Sequence, residues 1–389
     1  MGKKEKKKAL LILIGGRQMP NFLTAQSLHP DVILPIASPE GLKDSWEKIK
    51  PALNRLNLSV AEPKEVDAFD LNEIKEKCRE AFADFPDYEW VFNITCGTSV
   101  MSIGAFEIAK EKGISAWYLD TNTRRVAVLC GQSPETDPYF VKIPDYLLSY
   151  GRRVGKSGIN NPTESLKNYT RKLASDASAT TDFQHALAKA VQGKNVLKAN
   201  NLELEIETPA EPVRSLFYAA QQTGLLQNLR EVDSAKLKFT LPDYEKYAFL
   251  NGGWLEFYVW LVANDLNKFD DTAYSLTIPT DGDQKEIDFA LSYSGALLIA
   301  ECKTDAKPFK TKYLEKLVSV SSLIGANFVG KIFITNQFPD DSNSAVKDFF
   351  NQAKARQIVV VTGKELKDLG EILIKEAGVG GKRPTYNRG

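Results

Sequence analysis

The chain has 389 residues, 43% of them hydrophobic, so it can bury large cores and is expected to form two or three domains. Fifty basic and fifty acidic residues cancel, so any contact with nucleic acid must use a local positive path rather than overall charge. With only two histidines, histidine-based catalysis is not expected. Four cysteines without metal-type spacing indicate neither a zinc site nor a disulfide framework and favour a reducing cytoplasm.

The amino terminus does not resemble an export signal or a membrane anchor. Lysines between Lys3 and Lys8 precede only six strongly apolar residues, Ala9 to Ile14, which is too short for the apolar region of a signal peptide. No run approaches the roughly eighteen apolar residues of a membrane span. We therefore expect a cytoplasmic protein with no membrane partner.

From Ala9 to about Gly131, apolar runs alternate with amphipathic segments. The predicted strands are Ala9 to Ile14, Val32 to Ile36, Leu58 to Val60, Trp90 to Ile94 and Ser115 to Leu119. The predicted helices are Glu40 to Leu56, Asp70 to Phe82 and Thr98 to Lys112. This order predicts a Rossmann-like α/β domain, with a parallel sheet between two helical layers and ligands at the carboxyl ends of its strands.

Two loops at those strand ends have the chemistry of an anion site. Glycines allow close approach of the backbone, threonine and serine hydroxyls donate hydrogen bonds, and helix amino termini supply aligned amides. Taken alone, each loop also fits an ordinary strand-to-helix turn with an N-cap. The candidate ligand-binding residues are Gly15, Gly16, Arg17, Gln18, Asn93, Thr95, Gly97, Thr98 and Ser99.

Residues 8 to 150 resemble the CARF domains of CRISPR-associated proteins. The resemblance is carried by Asn93-x-Thr95-x-Gly97-Thr98 after the fourth strand and by Gly15-Gly16 with Pro20-Asn21 after the first. It implies a homodimer that binds a cyclic oligoadenylate, cyclic tetra-adenylate in particular, with Thr121 and Asn122 lining the same pocket. Ser99 stands where several relatives have lysine, and Arg17 is the candidate substitute.

Residues 151 to 245 are expected to form a linker and a small connector. Gly151 to Gly158 reads as a flexible, basic hinge. Helices at Thr163 to Ala174, Thr181 to Gln192 and Glu211 to Gly224, a strand at Leu202 to Ile206 and a hairpin at Leu225 to Thr240 resemble a winged-helix-type unit. Its candidate recognition helix near Arg214 is apolar, which favours a spacer over a DNA reader.

An acid, a second acid and a lysine occupy two neighbouring strands near the carboxyl terminus. Lys285 to Leu291 and Ala296 to Cys302 read as a hairpin, which brings Asp288 next to Glu301. Glu301 and Lys303 share one face of their strand, and Cys302 faces the other way. Two carboxylates and a backbone carbonyl can hold a divalent cation that activates water, with lysine beside it. The alternative is a surface salt bridge between Lys303 and an acid.

These residues, with Glu256 on an apolar helix from Trp254 to Asn264, resemble the PD-(D/E)XK restriction-endonuclease-like core. The remaining elements follow the order of that core, with a helix at Lys310 to Leu323, a strand at Gly330 to Thr335, a helix at Ser344 to Ala355 and a strand at Gln357 to Val361. The implied catalytic residues are Glu256, Asp288, Glu301 and Lys303, and the implied ligands of Mn²⁺ or Mg²⁺ are Glu256, Asp288, Glu301 and Cys302. Lysines between Lys303 and Lys316 form a positive path, with Phe309 and Tyr313 placed to stack on bases.

The whole order resembles the ancillary nucleases of type III CRISPR systems that cyclic oligoadenylates activate. We expect a CARF domain at 1–150, a connector at 151–245 and a nuclease domain with an α/β/α architecture at 246–389. The resemblance implies a homodimer that cleaves single-stranded RNA or DNA or nicks supercoiled DNA. Two alternatives stay open: a ligand-responsive DNA-binding regulator with an inactive nuclease-like domain, and a sensor domain that itself degrades its ring ligand.

Overall fold

The amino-terminal part is built on a mostly parallel sheet. A computed structural model describes residues 6–120, 125–132, 136–137, 139–158, 161–198, 200–233, 235–326 and 329–379. The sheet runs in the order β3-β2-β1-β5-β6-β7, and β4 also pairs with β2. Its strands are β1 (Lys8–Leu13), β2 (Val32–Ala37), β3 (Ser59–Val60), β4 (Lys64–Glu65), β5 (Glu89–Asn93), β6 (Ser115–Asp120) and β7 (Arg125–Cys130).

Helices cover both faces of this sheet, as the alternating pattern predicts. The helices are α1 (Met19–Leu28), α2 (Pro39–Gly41), α3 (Glu47–Asn54), α4 (Leu71–Asp84), α5 (Ser99–Lys112) and α6 (Ile143–Ser149), with a π-helical turn between α2 and α3. Buried side chains of α1, α3 and α6 pack on one face, and those of α4 and α5 pack on the other. The mixed α/β class is therefore confirmed.

The last strand of the sheet departs from the all-parallel prediction. Strand β7 pairs antiparallel with β6. It escaped prediction because most of its side chains are exposed, so its apolar residues show no alternation between a buried and a polar face.

A small unit of three helices and three antiparallel strands follows. The elements are α7 (Glu164–Ser175), α8 (Ala177–Val191), β8 (Asn200–Glu207), α9 (Val213–Gln222), β9 (Gln227–Asp233) and β10 (Lys236–Asp243). The strands lie in the order β8-β10-β9. Phe217 packs between Phe183 and Phe239, with ring centroids 4.6 and 5.4 Å away, and this aromatic row joins the helices to the sheet.

The carboxyl-terminal part is a five-stranded sheet between two pairs of helices. The elements are α10 (Tyr244–Ala248), α11 (Trp254–Leu266), β11 (Asp271–Thr280), β12 (Asp283–Tyr293), β13 (Ala296–Lys303), α12 (Thr311–Leu323), β14 (Val329–Thr335), α13 (Ser344–Ala355), β15 (Ile358–Val361) and α14 (Leu369–Ala377). Strands β11, β12 and β13 are antiparallel, and β13, β14 and β15 are parallel. Helices α11 and α14 cover one face, and α12 and α13 cover the other.

Residues 151–158 are not a free hinge, contrary to the sequence prediction. The Gly155 amide donates to Thr277 O at 2.8 Å, and the Gly158 amide donates to Tyr274 O at 2.8 Å. Because β11 is an edge strand with unpaired backbone groups, this segment adds to it as a further extended strap. We call residues 155–158 the strap.

Two further properties concern the described residues. All four cysteines are free, and three of them are buried. Among the helices of the described residues, none combines the length and the apolar character needed to cross a membrane.

We predict that Gly158→Ala destabilises the chain by about 1–3 kcal/mol, because overpacking forces neighbours to move. A Cβ at Gly158 would lie 2.2 Å from the Tyr274 ring. That ring is held by Phe257 and Trp260, with centroids 5.4 and 5.5 Å away. Urea unfolding of both proteins measures the change.

Gly16→Ala is the matched control, because a Cβ there meets nothing within 4 Å. Equal stability of the two variants would contradict the tight contact between the strap and β11.

Candidate nuclease site and ligand loops

The hairpin of β12 and β13 brings the two predicted acids together. Phe289 pairs with Ala300, so the preceding Asp288 lies beside the following Glu301. Each of these acids is only 2% exposed. Their side chains are therefore withdrawn from water at the end of the sheet where β13 stops.

Glu256 approaches the same place from α11. Its Oε2 accepts a hydrogen bond from Ser275 Oγ at 2.7 Å, and Ser275 lies in β11 opposite Asp288. The side-chain alternation changes face here, since Tyr274 and Phe289 pack towards α11 whereas Leu276 and Ile287 pack on the other side. A left-handed Ser275, with φ of 47°, accompanies this change of face.

Two lysines neutralise the acid pair. Lys303 Nζ lies 3.0 Å from Asp288 Oδ2 and 2.8 Å from Glu301 Oε1. Lys316 Nζ, from α12, lies 3.2 Å from Asp288 Oδ1 and 2.6 Å from Glu301 Oε2. Each ammonium thus bridges both carboxylates, so the predicted salt bridge exists but at a buried site rather than on the surface.

Lys303 also reaches the backbone of its neighbour. Its Nζ donates to Cys302 O at 2.8 Å, and the Cys302 amide donates to Asp288 Oδ2 at 2.8 Å. The Cys302 side chain is buried on the α11 side of the sheet. As predicted, only the backbone of Cys302 faces the acids.

Burial and charge shift the pKa values in this cluster. Burial, and then the charge of Asp288, raises the pKa of Glu256 to about 8 and also raises that of Glu301. Burial alone would lower the pKa of Lys303 and Lys316, but Asp288 and Glu301 outweigh it and raise both. Both lysines therefore carry their charge at neutral pH.

The donor set fits a divalent cation in part. Among the described residues, no three side chains of His, Cys, Asp and Glu are close enough together to hold one ion. Glu256 therefore does not lie at ligand distance beside Asp288 and Glu301. Glu301 Oε1, however, is buried without a hydrogen-bond partner in the described chain. The Lys303 ammonium lies 2.8 Å away and attracts it by charge. Such an oxygen, with Asp288 and Cys302 O nearby, suits a hard cation.

The aromatic residues of the positive path are placed differently from the prediction. Phe309 is partly buried and packs against Phe349 and Phe350, with centroids 5.5 and 5.8 Å away, so its ring is engaged with the core rather than held out towards bases. Tyr313 is half-buried on Phe333 and donates from its hydroxyl to Asp305. The Lys303 ammonium lies 5.3 Å from the centroid of the Tyr313 ring.

The connector contacts the residue that follows Lys303. Gln184 Nε2 of α8 donates to Thr304 Oγ1 at 3.2 Å, and Thr304 Oγ1 donates to Asn251 O at 3.2 Å. A Cβ on Gly252 would lie 3.0 Å from that hydroxyl oxygen, which explains the glycine before α11. Sequence patterns do not reveal these hydrogen bonds, because Gln184, Asn251 and Thr304 lie far apart in the chain.

The two candidate ligand loops, residues 15–18 and 93–99, are joined by a buried polar network. Asn93 Nδ2 donates to Asn21 Oδ1 at 2.9 Å, and Thr95 Oγ1 donates to Asn93 Oδ1 at 2.5 Å. Thr98 Oγ1 donates to Ala68 O at 2.7 Å and caps α5. The hydroxyl protons of Thr95 and Thr98 are thus used within the domain rather than directed at a ligand.

Other predicted ligand residues remain at the surface of this edge. Gly16, Arg17, Gly97 and Ser99 are exposed, whereas Gly15 is half-buried and Gln18 is buried. A Cβ on Gly15 would lie 2.5 Å from Gly97 N, so the loops touch through their glycines. Thr121 and Asn122 lie outside the described residues.

Comparison with known families agrees with this geometry in both halves. Residues 10–146 match the family model of the Card1 CARF domain, and residues 243–378 match that of the Card1-like endonuclease domain. The chain belongs to the Card1-like proteins, with a CARF domain followed by an endonuclease domain. The CARF domain carries the two candidate ligand loops, and the endonuclease domain carries the acid pair.

Solved structures share the fold of this CARF nuclease. Protein VC1899 from Vibrio cholerae has a TM-score of 0.78 at 18% identity, over 96% of this chain and 99% of its own. Can2 from Sulfobacillus thermosulfidooxidans, in complex with cyclic tetra-adenylate, has a TM-score of 0.72 at 19% identity, over 94% of this chain and 96% of its own. A type III CRISPR defence DNA nuclease activated by cyclic oligoadenylate has a TM-score of 0.52 at 15% identity, over 86% of this chain and 46% of its own. None of the curated proteins matches the sequence.

We predict that Glu256 makes the metal-free CARF nuclease less stable at alkaline pH. The pKa of Glu256 is about 8 against an ordinary 4.5, so its stability contribution is full below pH 4.5 and is lost as the pH rises towards 8. Glu256→Gln should reduce the difference in the free energy of unfolding between low and high pH by on the order of a few kcal/mol. Chemical unfolding at pH 5 and pH 8 in EDTA measures it.

Glu371→Gln, an exposed residue of α14, is the control. If Glu256→Gln keeps the pH dependence of the parent and of this control, Glu256 does not titrate in that range.

Proposed function

We propose that the chain is a metal-dependent nuclease, of the PD-(D/E)XK type, that cyclic tetra-adenylate activates within a homodimer. The observation that carries the proposal is the buried pair of Asp288 and Glu301 with Lys303 on the same strand, inside an endonuclease domain. A purely structural role would not require two carboxylates and two ammonium groups at the end of the sheet where β13 stops.

Asp288, Glu301 and the carbonyl of Cys302 would hold Mn²⁺ or Mg²⁺, with Glu256 as the candidate third carboxylate. Such a cation polarises the phosphodiester and lowers the pKa of a bound water. Lys303 orients the attacking water and stabilises the negative charge that develops on the phosphate. Ser275 fixes the carboxyl of Glu256 towards Asp288 through its 2.7 Å hydrogen bond.

The activator would bind at the carboxyl edge of the first sheet. Gly16, Arg17, Gly97 and Ser99 are exposed there, and the amino terminus of α5 begins directly after Thr98. The related Can2 structure contains cyclic tetra-adenylate, whose two-fold symmetry suits a dimer.

A homodimer is supported by exposed apolar side chains on neighbouring elements of the same domain. Ile103 of α5, Tyr118 of β6 and Leu129 of β7 are 51%, 41% and 48% exposed. Large exposed apolar residues on adjacent elements are typical of an interaction surface. To switch a mostly inactive dimer on, the ring must favour the active arrangement by on the order of 3–5 kcal/mol.

Single-stranded RNA or DNA is the proposed substrate, with nicking of supercoiled DNA as a further activity. Lys307 and Lys312 are exposed beside the site and supply sequence-independent contacts to phosphates. The site contacts phosphates, so it accepts either sugar unless another group reads the ribose hydroxyl.

The alternative of a DNA-binding regulator is not favoured by the connector. Arg214 lies 3.2 Å from Glu211, Lys236 2.7 Å from Glu205, and Lys238 2.8 Å from Glu203. These basic groups are paired with acids and offer little positive charge to a duplex.

We predict that Glu301→Ala and Lys303→Ala each lower cleavage by about 100-fold or more, because each removes a group that stabilises the transition state. The assay offers single-stranded DNA, single-stranded RNA and plasmid with Mn²⁺, with and without cyclic tri-, tetra- and hexa-adenylate. Binding of cyclic tetra-adenylate, measured by calorimetry, should not change in either variant.

Glu315→Ala, an exposed residue of α12, is the control and should cleave like the parent. Cleavage that persists and still responds to the ring in Glu301→Ala would disprove the site assignment.

We predict that Arg17→Ala weakens cyclic tetra-adenylate binding by about tenfold or more, because a charged hydrogen bond to phosphate contributes roughly 1.5–3 kcal/mol. The concentration of ring needed for half-maximal cleavage should rise by the same factor, with an unchanged rate at saturation. Arg79→Ala, in α4 of the same domain, is the control. Unchanged affinity in Arg17→Ala would place the ring elsewhere.

A further inference from the structure

The second lysine of the nuclease site comes from an element outside the acid-x-lysine strand. Lys316 lies on α12, thirteen residues after Lys303, and its Nζ is 2.6 Å from Glu301 Oε2 and 3.2 Å from Asp288 Oδ1. Its side chain is one-third exposed, whereas both acids are almost fully buried. Lys316 therefore contacts the acids from the solvent side.

The two ammonium groups divide the carboxylate oxygens between them. Lys303 is close to Asp288 Oδ2, Glu301 Oε1 and Cys302 O, one oxygen from each of the three residues proposed to hold the cation. Lys316 is close to the other two, Asp288 Oδ1 and Glu301 Oε2. With both acids ionised, the four side chains have no net charge.

This division has a consequence for metal binding. A divalent cation placed among the first three oxygens would occupy the position of the Lys303 ammonium, since cation–oxygen distances are roughly 2.0–2.6 Å. Lys303 must therefore move, and the site gains two positive charges. Lys316, close to the other two oxygens, would repel the incoming cation. An anionic phosphodiester offsets both effects by accepting the displaced ammonium.

We propose that Lys316 is a positioning residue that holds the two acids and makes metal binding depend on the nucleic acid. It acts through Asp288 and Glu301 as a built-in counter-ion, so the cation binds weakly until a phosphate is present. Metal and substrate then strengthen each other's binding equally, as linkage requires. This inference rests on the proposed nuclease function.

The test measures Mn²⁺ binding to the full-length, metal-free protein without nucleic acid, by electron paramagnetic resonance of free Mn²⁺. Lys316→Met should bind Mn²⁺ about tenfold tighter or more, because a positive charge close to the ligands is gone. Its cleavage rate should fall by about tenfold or more, because the acids lose their alignment. Lys354→Met, an exposed lysine of α13 away from the acids, should match the parent in both measurements.

Two conservative variants separate charge from structure. Lys316→Arg keeps the charge and should retain the weak Mn²⁺ binding of the parent. Lys316→Gln keeps a hydrogen-bond donor and should bind Mn²⁺ more tightly, as Lys316→Met does. In thermal unfolding, Mn²⁺ should raise the melting temperature of Lys316→Gln by more than that of the parent.

Unchanged or weaker Mn²⁺ binding in both Lys316→Met and Lys316→Gln, in a parent that cleaves with Mn²⁺, would overturn this inference alone. Normal cleavage by Lys316→Met would also overturn it. A parent that neither binds Mn²⁺ nor cleaves would instead overturn the proposed function, and this inference with it.

Discussion

The four-charge cluster of Asp288, Glu301, Lys303 and Lys316 is the interaction on which the rest of this site depends. Two adjacent carboxylates removed from water would repel each other and lose their hydration, at a cost of several kcal/mol per ion. The lysines offset that cost only because each ammonium touches both acids, at distances from 2.6 to 3.2 Å. With both acids ionised the cluster is balanced in charge, and under the proposed function each member would exchange its partner for a metal or a phosphate.

The fold supplies the cluster from three directions. The register of β12 and β13 sets the spacing of the acids, α12 adds Lys316, and α11 adds Glu256. The connector then fixes the end of β13, since Gln184 of α8 contacts Thr304, and Gln337 after β14 donates to Thr181 of the same helix at 2.9 Å. Helix α8 is therefore anchored at the ends of two neighbouring strands, so the connector is part of the support of the site.

Contacts within the chain also join the CARF domain to the hairpin of β12 and β13. Helix α1 begins directly after the loop of Gly15 to Gln18, and its Leu23 packs so closely on Gly295 that a Cβ there would lie 2.2 Å away. Gly295 is in the turn between β12 and β13, the strands that carry Asp288 and Glu301. Ser292 Oγ, near that turn, donates to Val141 O at 2.6 Å. If the proposed cyclic tetra-adenylate shifts the loop before α1, the contact of this helix with the hairpin would carry the shift towards the acids.

Sequence patterns reveal what depends on local periodicity and miss what depends on packing between distant segments. Asp288 and Glu301 could be placed together because strand alternation and hairpin pairing are local. Strand β7 was missed because most of its side chains are exposed, and β11 was missed because its side chains change face at Ser275, which breaks the alternation. The same limit explains Lys316 and Phe309, which read alike as members of a positive, aromatic stretch. Lys316 points at the acids and Phe309 points into the core, and only the packing of α12 on the sheet separates them. A motif can therefore name the acids of such a site, but its counter-ions have to be found by geometry. If the proposed function holds, these counter-ions would set how tightly the acids can hold a metal.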